Sequence, residues 1–130
     1  MRYVIDSYAW FEYFMGTSVG VQAKKIIDST INEKLTPTIC LAEIYAKILR
    51  TEGLEKAEMR RTFIKRRSAV VPLTEEIAVE AAKINNEMKR QTQGGGLADS
   101  IVLATARIKK AKVLTGGEHF CNLPENIYLE

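Results

Sequence analysis

The chain alternates short apolar segments with helical segments, and this alternation limits the folds that it can adopt. Apolar runs of strand length lie at residues 2–6 (RYVID), 69–73 (AVVPL) and 112–115 (KVLT), with a candidate last strand at 127–129 (IYL). Helical spacing is found at residues 7–14, 19–34, 38–52, 54–67, 75–93 and 97–110. Short apolar strands separated by helices are typical of a parallel sheet that helices cover on both faces. We therefore predict a single domain over residues 1–130, with a three-layer α/β/α fold and a central, mainly parallel sheet.

The composition is that of a soluble globular protein. Of the 130 residues, 46% are hydrophobic and 27% are charged, which is ordinary for this class. No apolar run approaches the ~20 residues of a membrane span, and the N-terminus MRYVIDSYAW lacks the features of a signal peptide. The cysteines Cys40 and Cys121 form no CxxC pair, so we expect reduced thiols in a cytoplasmic protein. The net charge of +3 excludes no class of partner.

Four acidic residues lie where a parallel sheet forms its sites, which is at the carboxyl ends of strands and the N-termini of the following helices. Asp6 is the last residue of the first strand, and Glu43 lies near the start of the helix at 38–52. Asp99 lies in the first turn of its helix, and Glu118 follows the KVLT strand. We therefore expect these four side chains to gather at one edge of the sheet.

Each of these carboxylates also has a purely structural interpretation. Asp6 could be the N-cap of the helix that begins at Ser7, and Asp99 could be the N-cap that follows the GGG turn. Glu43 could be solvated and paired with Lys47, one helical turn later. Asp99 is the most informative, because LADSIVLATA is apolar nearly all round and is predicted to be a buried helix. A buried carboxylate is costly unless it is paired, capped or bound to a metal.

Taken together, the acids favour a metal site. Three or four carboxylates at one edge repel one another unless cations neutralise them. Mg²⁺ and Mn²⁺ are hard cations that prefer oxygen ligands of this kind. Two such ions about 4 Å apart can activate a water and stabilise the leaving oxygen of an in-line phosphoryl displacement. The set therefore indicates phosphoryl-transfer chemistry that depends on divalent metal.

Other chemistries have less support. His119 is the only histidine and no GxSxG elbow is present, which disfavours nucleophilic catalysis built on a histidine. A zinc site on His119 and Cys121 would lack further nearby ligands. The aromatic residues of segment 7–14 are expected to pack in the core or at an interface. The basic run RRTFIKRR at residues 60–67 is either a solvated helix face or a flank that holds nucleic-acid phosphates.

Four stretches of the sequence match a known pattern. They are YVIDSYAWFEYF at the start, TICLAEIYA around Glu43, LADSIVLATAR around Asp99 and VLTGGEHF near the end. In this order, and over almost the whole chain, they resemble the PIN domain and within it the small single-domain toxins of the VapC type. The resemblance implies a PIN-like fold and an endoribonuclease that cleaves single-stranded RNA with Mg²⁺ or Mn²⁺. It also implies a homodimer and a small VapB-like antitoxin that holds the enzyme inactive.

The resemblance assigns roles to individual residues. Asp6, Glu43 and Asp99 match the family's three strongest acids. Ser7 and Thr115 match the hydroxyl residues that support those acids.

One position departs from the family. The fourth stretch is often Thr-Gly-Asp-x-His-Phe, whereas this chain has Thr-Gly-Gly-Glu-His-Phe at residues 115–120. Gly117 therefore stands where a fourth acid is expected, and Glu118 comes one residue later with one more methylene. We expect the two glycines to let the backbone turn Glu118 toward a metal beside Asp6 and Asp99, although adjacent residues of an extended chain point to opposite sides.

Two other functions remain open at this point. A PIN-like module weakened at Gly117 would bind RNA or protein without cutting it. A phosphoryl-transfer domain of the haloacid-dehalogenase or receiver kind also carries an Asp at a strand end. The first kind needs a second Asp two residues after Asp6, where this chain has Tyr8. The second kind needs paired acids before that Asp and a late strand-end Lys, neither of which we find.

Overall fold

The computed structural model describes residues 1–90, 96–116 and 126–128. The strands are β1 (Arg2–Ile5), β2 (Glu33–Pro37), β3 (Ala69–Val71), β4 (Lys112–Thr115) and β5 (Asn126–Tyr128). The helices are α1 (Ser7–Met15), α2 (Ser18–Ile27), α3 (Thr38–Glu52), α4 (Leu54–Arg67), α5 (Glu75–Arg90) and α6 (Leu97–Lys109). Within these described ranges, no helix has the length and continuous apolar character that crossing a lipid bilayer requires.

The five strands form one sheet in the order β3-β2-β1-β4-β5, and all neighbours are parallel. β1 is the central strand, where Val4 lies in register with Leu35 of β2 and Val113 of β4. The chain builds the sheet outward from β1 to β3 and then returns to the other side of β1 for β4 and β5. The predicted α/β fold with a central parallel sheet is confirmed.

Helices cover both faces of the sheet, because successive residues of a strand point to opposite sides. On one face, Val4 and Val113 pack in a core with α5 and α6. On the other face, Ile5 and Leu114 pack with α1, α2, α3 and α4 around the fully buried Trp10. The predicted three layers are therefore confirmed.

The sequence analysis missed β2 and extended the preceding helix too far. α2 ends at Ile27 rather than at residue 34, with Asp28 at its C-cap, and β2 follows at Glu33–Pro37. The sequence of β2, EKLTP, carries little apolar signal, so its periodicity could not reveal a strand. Its conformation depends on backbone pairing with β1 on one side and β3 on the other, and such tertiary contacts override local propensity.

Other boundaries follow local signals that the sequence carries. α3 ends at Gly53, as predicted, and the φ of this residue is 94°, a conformation that favours glycine. The predicted N-cap Thr74 is confirmed, since its Oγ1 accepts from the Ile77 backbone N–H over 3.2 Å. β5 begins at Asn126, one residue before the predicted strand. Residues 91–93 and 129, where the predictions also placed helix and strand, lie outside the described residues.

Candidate active site

The predicted edge of the sheet contains a topological switch point. Strand order reverses at β1, because β2 lies on one side of this strand and β4 on the other. Crevices at the carboxyl ends of strands at such points are the usual ligand sites of open parallel sheets. Asp6 directly follows β1, and Thr115 is the last residue of β4. The Thr115 hydroxyl donates a hydrogen bond to Asp6 Oδ2, so the two strand ends are joined at the crevice.

Asp6 is also the N-cap of α1, which confirms the structural interpretation of this residue. Its Oδ1 accepts from the Ala9 backbone N–H over 3.0 Å. The side chain is buried, and burial raises the pKa of Asp6 from 3.8 to about 7. The hydrogen bonds from Thr115 and Ala9 lower this pKa, whereas the nearby charges of Asp99 and Glu43 raise it. Asp6 is therefore both a structural cap and a buried acid whose charged neighbours are acids.

Glu43 lies in the second turn of α3 and meets the start of α1. Glu43 is exposed, yet desolvation raises its pKa, the neighbouring Ser7 hydroxyl lowers it, and the charge of Asp99 raises it. The ion pairs of the described residues do not join Glu43 to Lys47. The Lys47 ammonium instead lies over the Phe11 ring, 4.5 Å from its centroid. The alternative interpretation of Glu43 as the partner of Lys47 is therefore wrong.

Asp99 lies in the first turn of α6, where the positive end of the helix stabilises a carboxylate. The N-cap of α6 is Gly96, so the alternative interpretation of Asp99 as the N-cap is wrong. α6 is buried from Ser100 to Ala106, as predicted, whereas Asp99 itself is half-buried. Its charge raises the pKa of both Asp6 and Glu43, so the three acids interact electrostatically at this edge.

The structure thus brings together five residues that the sequence analysis selected. They are Asp6, Ser7, Glu43, Asp99 and Thr115. The sixth, Glu118, lies outside the described residues together with Gly117, His119 and Cys121.

The sequence analysis did not select Tyr8 as a site residue. A Cβ placed on Gly116 would overlap the Tyr8 ring, so any larger residue at this position would require the exposed Tyr8 side chain to shift. Tyr8 follows the selected pair Asp6 and Ser7 directly, but its sequence signal was indistinguishable from that of the other aromatic residues of α1. The first glycine of the Gly-Gly turn therefore has a steric explanation.

The donor set of this site fits a hard divalent cation. Asp6, Glu43 and Asp99 offer only carboxylate oxygens, which Mg²⁺ and Mn²⁺ prefer. No ion pair of the described residues involves them. In the same part of the chain, no group of three acidic, histidine or cysteine side chains comes close enough together to hold a metal ion. Mg²⁺ does not require three protein ligands, because it keeps several waters and binds through one or two carboxylates plus substrate phosphates.

The basic run at residues 60–67 is held against the aromatic face of α1. Phe14 of α1 and Phe63 of α4 meet edge to face with ring centroids 5.7 Å apart. Arg60 lies 4.4 Å from the centroid of the Phe14 ring, and Arg67 lies 4.7 Å from that of Phe63. The expected aromatic packing is confirmed, and two arginines of the basic run stack on these rings, although Arg67 stays exposed.

Comparisons with solved structures show a shared fold at low sequence identity. VapBC2 from Rickettsia felis, solved bound to a DNA fragment from its promoter, matches with a TM-score of 0.81 and 13% identity over 100% of both chains. VapBC-1 from nontypeable Haemophilus influenzae matches with a TM-score of 0.78 and 16% identity over 100% of this chain and 98% of that chain. VapC20 from Mycobacterium tuberculosis, described as a sarcin-ricin loop cleaving toxin, matches with a TM-score of 0.69 and 16% identity over 85% of this chain and 86% of that chain.

Comparison at the level of sequence gives the family. No curated protein sequence matches the chain significantly. The family pattern of the PIN domain, however, matches residues 3–126, which include the three clustered acids and both supporting hydroxyl residues. The chain therefore belongs to the PIN domain family.

Proposed function

We propose that this protein is a divalent-metal-dependent endoribonuclease that cleaves single-stranded RNA and acts as the toxin of a VapBC-type pair. The observation that supports this most directly is the cluster of Asp6, Glu43 and Asp99 at the switch point of a PIN fold. Asp28, by contrast, is paired with Lys24 and Arg67, so its charge is neutralised within the protein. Unpaired acids at such a crevice are suited to bind a cation that comes with the reaction.

Asp6 and Asp99, with Glu118 as a further acid, would hold Mg²⁺ or Mn²⁺, and Glu43 would complete the acidic edge. When bound, such an ion lowers the pKa of water and neutralises the charge that develops on a phosphate. Asp6 is fixed from two sides, since the Thr115 hydroxyl binds one of its carboxylate oxygens and the Ala9 N–H binds the other.

The supporting hydroxyl residue Ser7 lies beside Glu43 and lowers its pKa, and Thr115 donates a hydrogen bond to Asp6. The acids therefore need little rearrangement when charge develops during the reaction, which is the usual source of electrostatic catalysis. The scissile phosphate would lie at this edge, and hydrolysis would leave a 5′-phosphate and a 3′-hydroxyl end. Cations outside the acidic edge would hold the flanking phosphates, which the acids repel.

The partners follow from the same proposal. The solved structures of similar fold include VapBC pairs, and we propose a small VapB-like antitoxin as the partner of this chain. We also propose that the protein acts in the cytoplasm as a homodimer.

The test is cleavage of an end-labelled, mostly unstructured RNA pool in Mn²⁺, in Mg²⁺ and in chelator. Wild type and Asp99→Asn are compared with Asp28→Asn, which removes a carboxylate of equal size from a structural ion-pair cluster. We expect products with wild type and Asp28→Asn that disappear in chelator, and no product with Asp99→Asn. Cleavage that survives complete metal removal, or that is unchanged by Asp99→Asn, would refute the proposal.

A second candidate is a weakened PIN module that binds RNA without cutting it. Two observations favour it: Gly117 replaces the family's fourth acid, and no three of the described acidic, histidine or cysteine side chains come close enough together to hold a metal ion. The same assay separates the candidates, because this one predicts RNA retention by wild type without product in any metal.

A further inference from the structure

The acidic site continues along a seam between α1 and α3. Both helices begin at the carboxyl ends of neighbouring strands, β1 and β2. Ser7 of α1 lies beside Glu43 of α3 and lowers its pKa. Four residues further along each helix, the Phe11 ring of α1 meets the Lys47 ammonium of α3. Since residues four apart lie on the same face of a helix, the second contact lies one turn, about 5.4 Å, beyond the first.

A cavity of about 350 Å³ opens along this seam and reaches α4. Its volume is at the lower end of the range of ligand pockets. Its lining residues are Phe11, Phe14, Met15, Lys47, Ile48, Thr51, Glu52 and Arg60. The lining therefore combines an apolar and aromatic wall with two cations and one carboxylate.

The two cations are held in place but not neutralised. The Lys47 ammonium and the Arg60 guanidinium each lie over a phenylalanine ring, at 4.5 and 4.4 Å from the centroids. Neither residue takes part in an ion pair among the described residues. In that part of the chain, the buried Arg60 Nε–H has no hydrogen-bond acceptor. Both cations are thus positioned to bind an anionic group.

We propose that this cavity binds a nucleotide of the single-stranded RNA that flanks the scissile phosphate. The Lys47 ammonium and the Arg60 guanidinium bind its phosphate, and the wall of Phe11, Phe14 and Met15 contacts its base and sugar. The inference rests on the proposed ribonuclease function, because it is the substrate chain at the acidic site that would extend into the seam. It gives the enzyme the basic flank that a carboxylate site needs to hold a polyanion.

The larger groove between α3 and α4 does not offer the same chemistry. Its volume is about 560 Å³, and its lining is mostly apolar. The cation that lines it, Arg61, is paired with Glu58 over 3.2 Å. Anion binding therefore favours the seam cavity over this groove.

The test measures RNA binding without cleavage, by fluorescence anisotropy of a labelled single-stranded RNA on the full chain in chelator. Lys47→Met with Arg60→Met removes both cations and keeps the apolar arms that cover the rings. The matched control is Arg50→Met with Lys65→Met, which removes two exposed charges from the same two helices but from residues that do not line the cavity. Thermal unfolding of both double variants verifies that they are folded.

We expect the cavity variant to raise the Kd roughly tenfold and to reduce the slope of log K against log salt by about 0.7, since both cations bind one phosphate and each phosphate contact on a single strand contributes about 0.7. The control is expected to change the Kd by less than about threefold through its long-range charge alone. Equal weakening by both double variants, or none by either, would overturn the proposal. So would a cavity variant that keeps its RNA affinity and loses a protein partner instead.

A second variant, which is expected to tighten RNA binding rather than weaken it, provides a test if the double variant does not fold. Glu52→Gln removes the one carboxylate from the cavity lining. Glu52 is exposed, so this substitution should not disturb folding. It is expected to tighten RNA binding about twofold, whereas Glu55→Gln, exposed outside the cavity, is not. An equal effect of the two substitutions would overturn the proposal.

Failure of this inference and failure of the proposed function give different results. If RNA is cut in Mn²⁺ but the RNA affinity does not depend on Lys47 and Arg60, the proposed ribonuclease function is retained and the cavity is not its subsite. If binding depends on these residues but no metal supports cleavage, the cavity is an RNA site in the weakened binding module.

Discussion

Two aspartates that are only 22 positions apart in the sequence, Asp6 and Asp28, have opposite surroundings in the fold. Asp28 accepts from the Tyr13 hydroxyl over 2.7 Å and pairs with Lys24 over 3.0 Å and Arg67 over 3.3 Å. Burial tends to raise its pKa, but these hydrogen bonds and positive charges outweigh burial and lower it. Asp6 has hydroxyl and N–H donors, but the ion pairs of the described residues do not include it, and burial with two neighbouring acids raises its pKa.

The difference separates an acid that serves the fold from one that is available to a ligand. Asp28 connects α1, α2 and α4, and its charge is stabilised within the protein. The charge of Asp6 is opposed by its surroundings, which is the usual condition of a residue whose electrostatic partner arrives with substrate or cofactor. Each prediction below compares these two acids, or extends the comparison to Glu118.

The largest expected effect is on cleavage. Asp6→Asn is expected to lower the rate of RNA cleavage at least ~10³-fold, since the loss of a metal ligand at the reacting phosphate corresponds to several kcal/mol of transition-state stabilisation. Asp28→Asn should leave the rate within about threefold, because Asp28 lies in an ion-pair cluster of the fold. Single-turnover rates in Mn²⁺ measure both. Similar losses in the two variants would remove the distinction between a structural and a functional aspartate.

The second expected effect is on stability, and its sign is opposite. An acid whose pKa is raised on folding binds its proton more tightly in the folded state, so the stability it adds below pH 4 is lost as the pH rises through about 7. A change of pKa from 3.8 to about 7 corresponds to roughly 4 kcal/mol. Asp6→Asn should therefore unfold at higher denaturant concentration than wild type at pH 8 in chelator, and the two should converge near pH 4.

Asp28→Asn provides the control for this pH series. The pKa of Asp28 is lowered on folding, so its contribution is present above its ordinary pKa and is lost only as the pH falls through the acid range. Its replacement should cost about 1 kcal/mol at pH 8, as expected for exposed ion pairs. A stabilising Asp28→Asn, or a destabilising Asp6→Asn at pH 8, would contradict the assignment of the two charges.

Stabilisation by divalent metal should also distinguish Asp6 from Asp28. Mn²⁺ at 100 times its Kd should stabilise wild type at pH 8 by about 2.7 kcal/mol, because it binds the folded state. Asp28→Asn should respond equally, whereas Asp6→Asn should respond little, since one of the proposed ligands is gone. Thermal unfolding with and without Mn²⁺ measures the difference. An equal response of Asp6→Asn would place the ion elsewhere.

The sequence predicted most of the fold, because most elements carry their own signal. The apolar run of β1, the N-cap Thr74 and the terminating Gly53 are local features, and the structure has each of them. β2 could not be predicted from EKLTP, because backbone pairing with strands distant in the chain determines it. Hydrophobic periodicity predicts only elements that bury several apolar side chains, and the β2 sequence contains few of them.

The site was predictable in its acids but not in its contacts. Strand ends and helix starts identified Asp6, Glu43 and Asp99 as neighbours. One alternative paired the Lys47 ammonium with Glu43, but it lies over Phe11, since the spacing within α3 carries no information on a ring of α1. The same limit hid Tyr8, whose contact with Gly116 joins residues more than 100 positions apart.

The smallest expected effect concerns Glu118. If this residue replaces the acid that Gly117 lacks, Glu118→Gln should lower cleavage about tenfold, a loss near 1.4 kcal/mol that is typical of an acid acting through water or at the edge of a site. Gly117→Asp, which restores the family's order, should recover that loss in the Glu118→Gln background. The rates of the wild type, the two single variants and the double variant form a complete cycle, so coupling between the two positions can be separated from their individual effects. A Glu118→Gln rate equal to wild type would mean that Asp6, Glu43 and Asp99 act without a fourth acid.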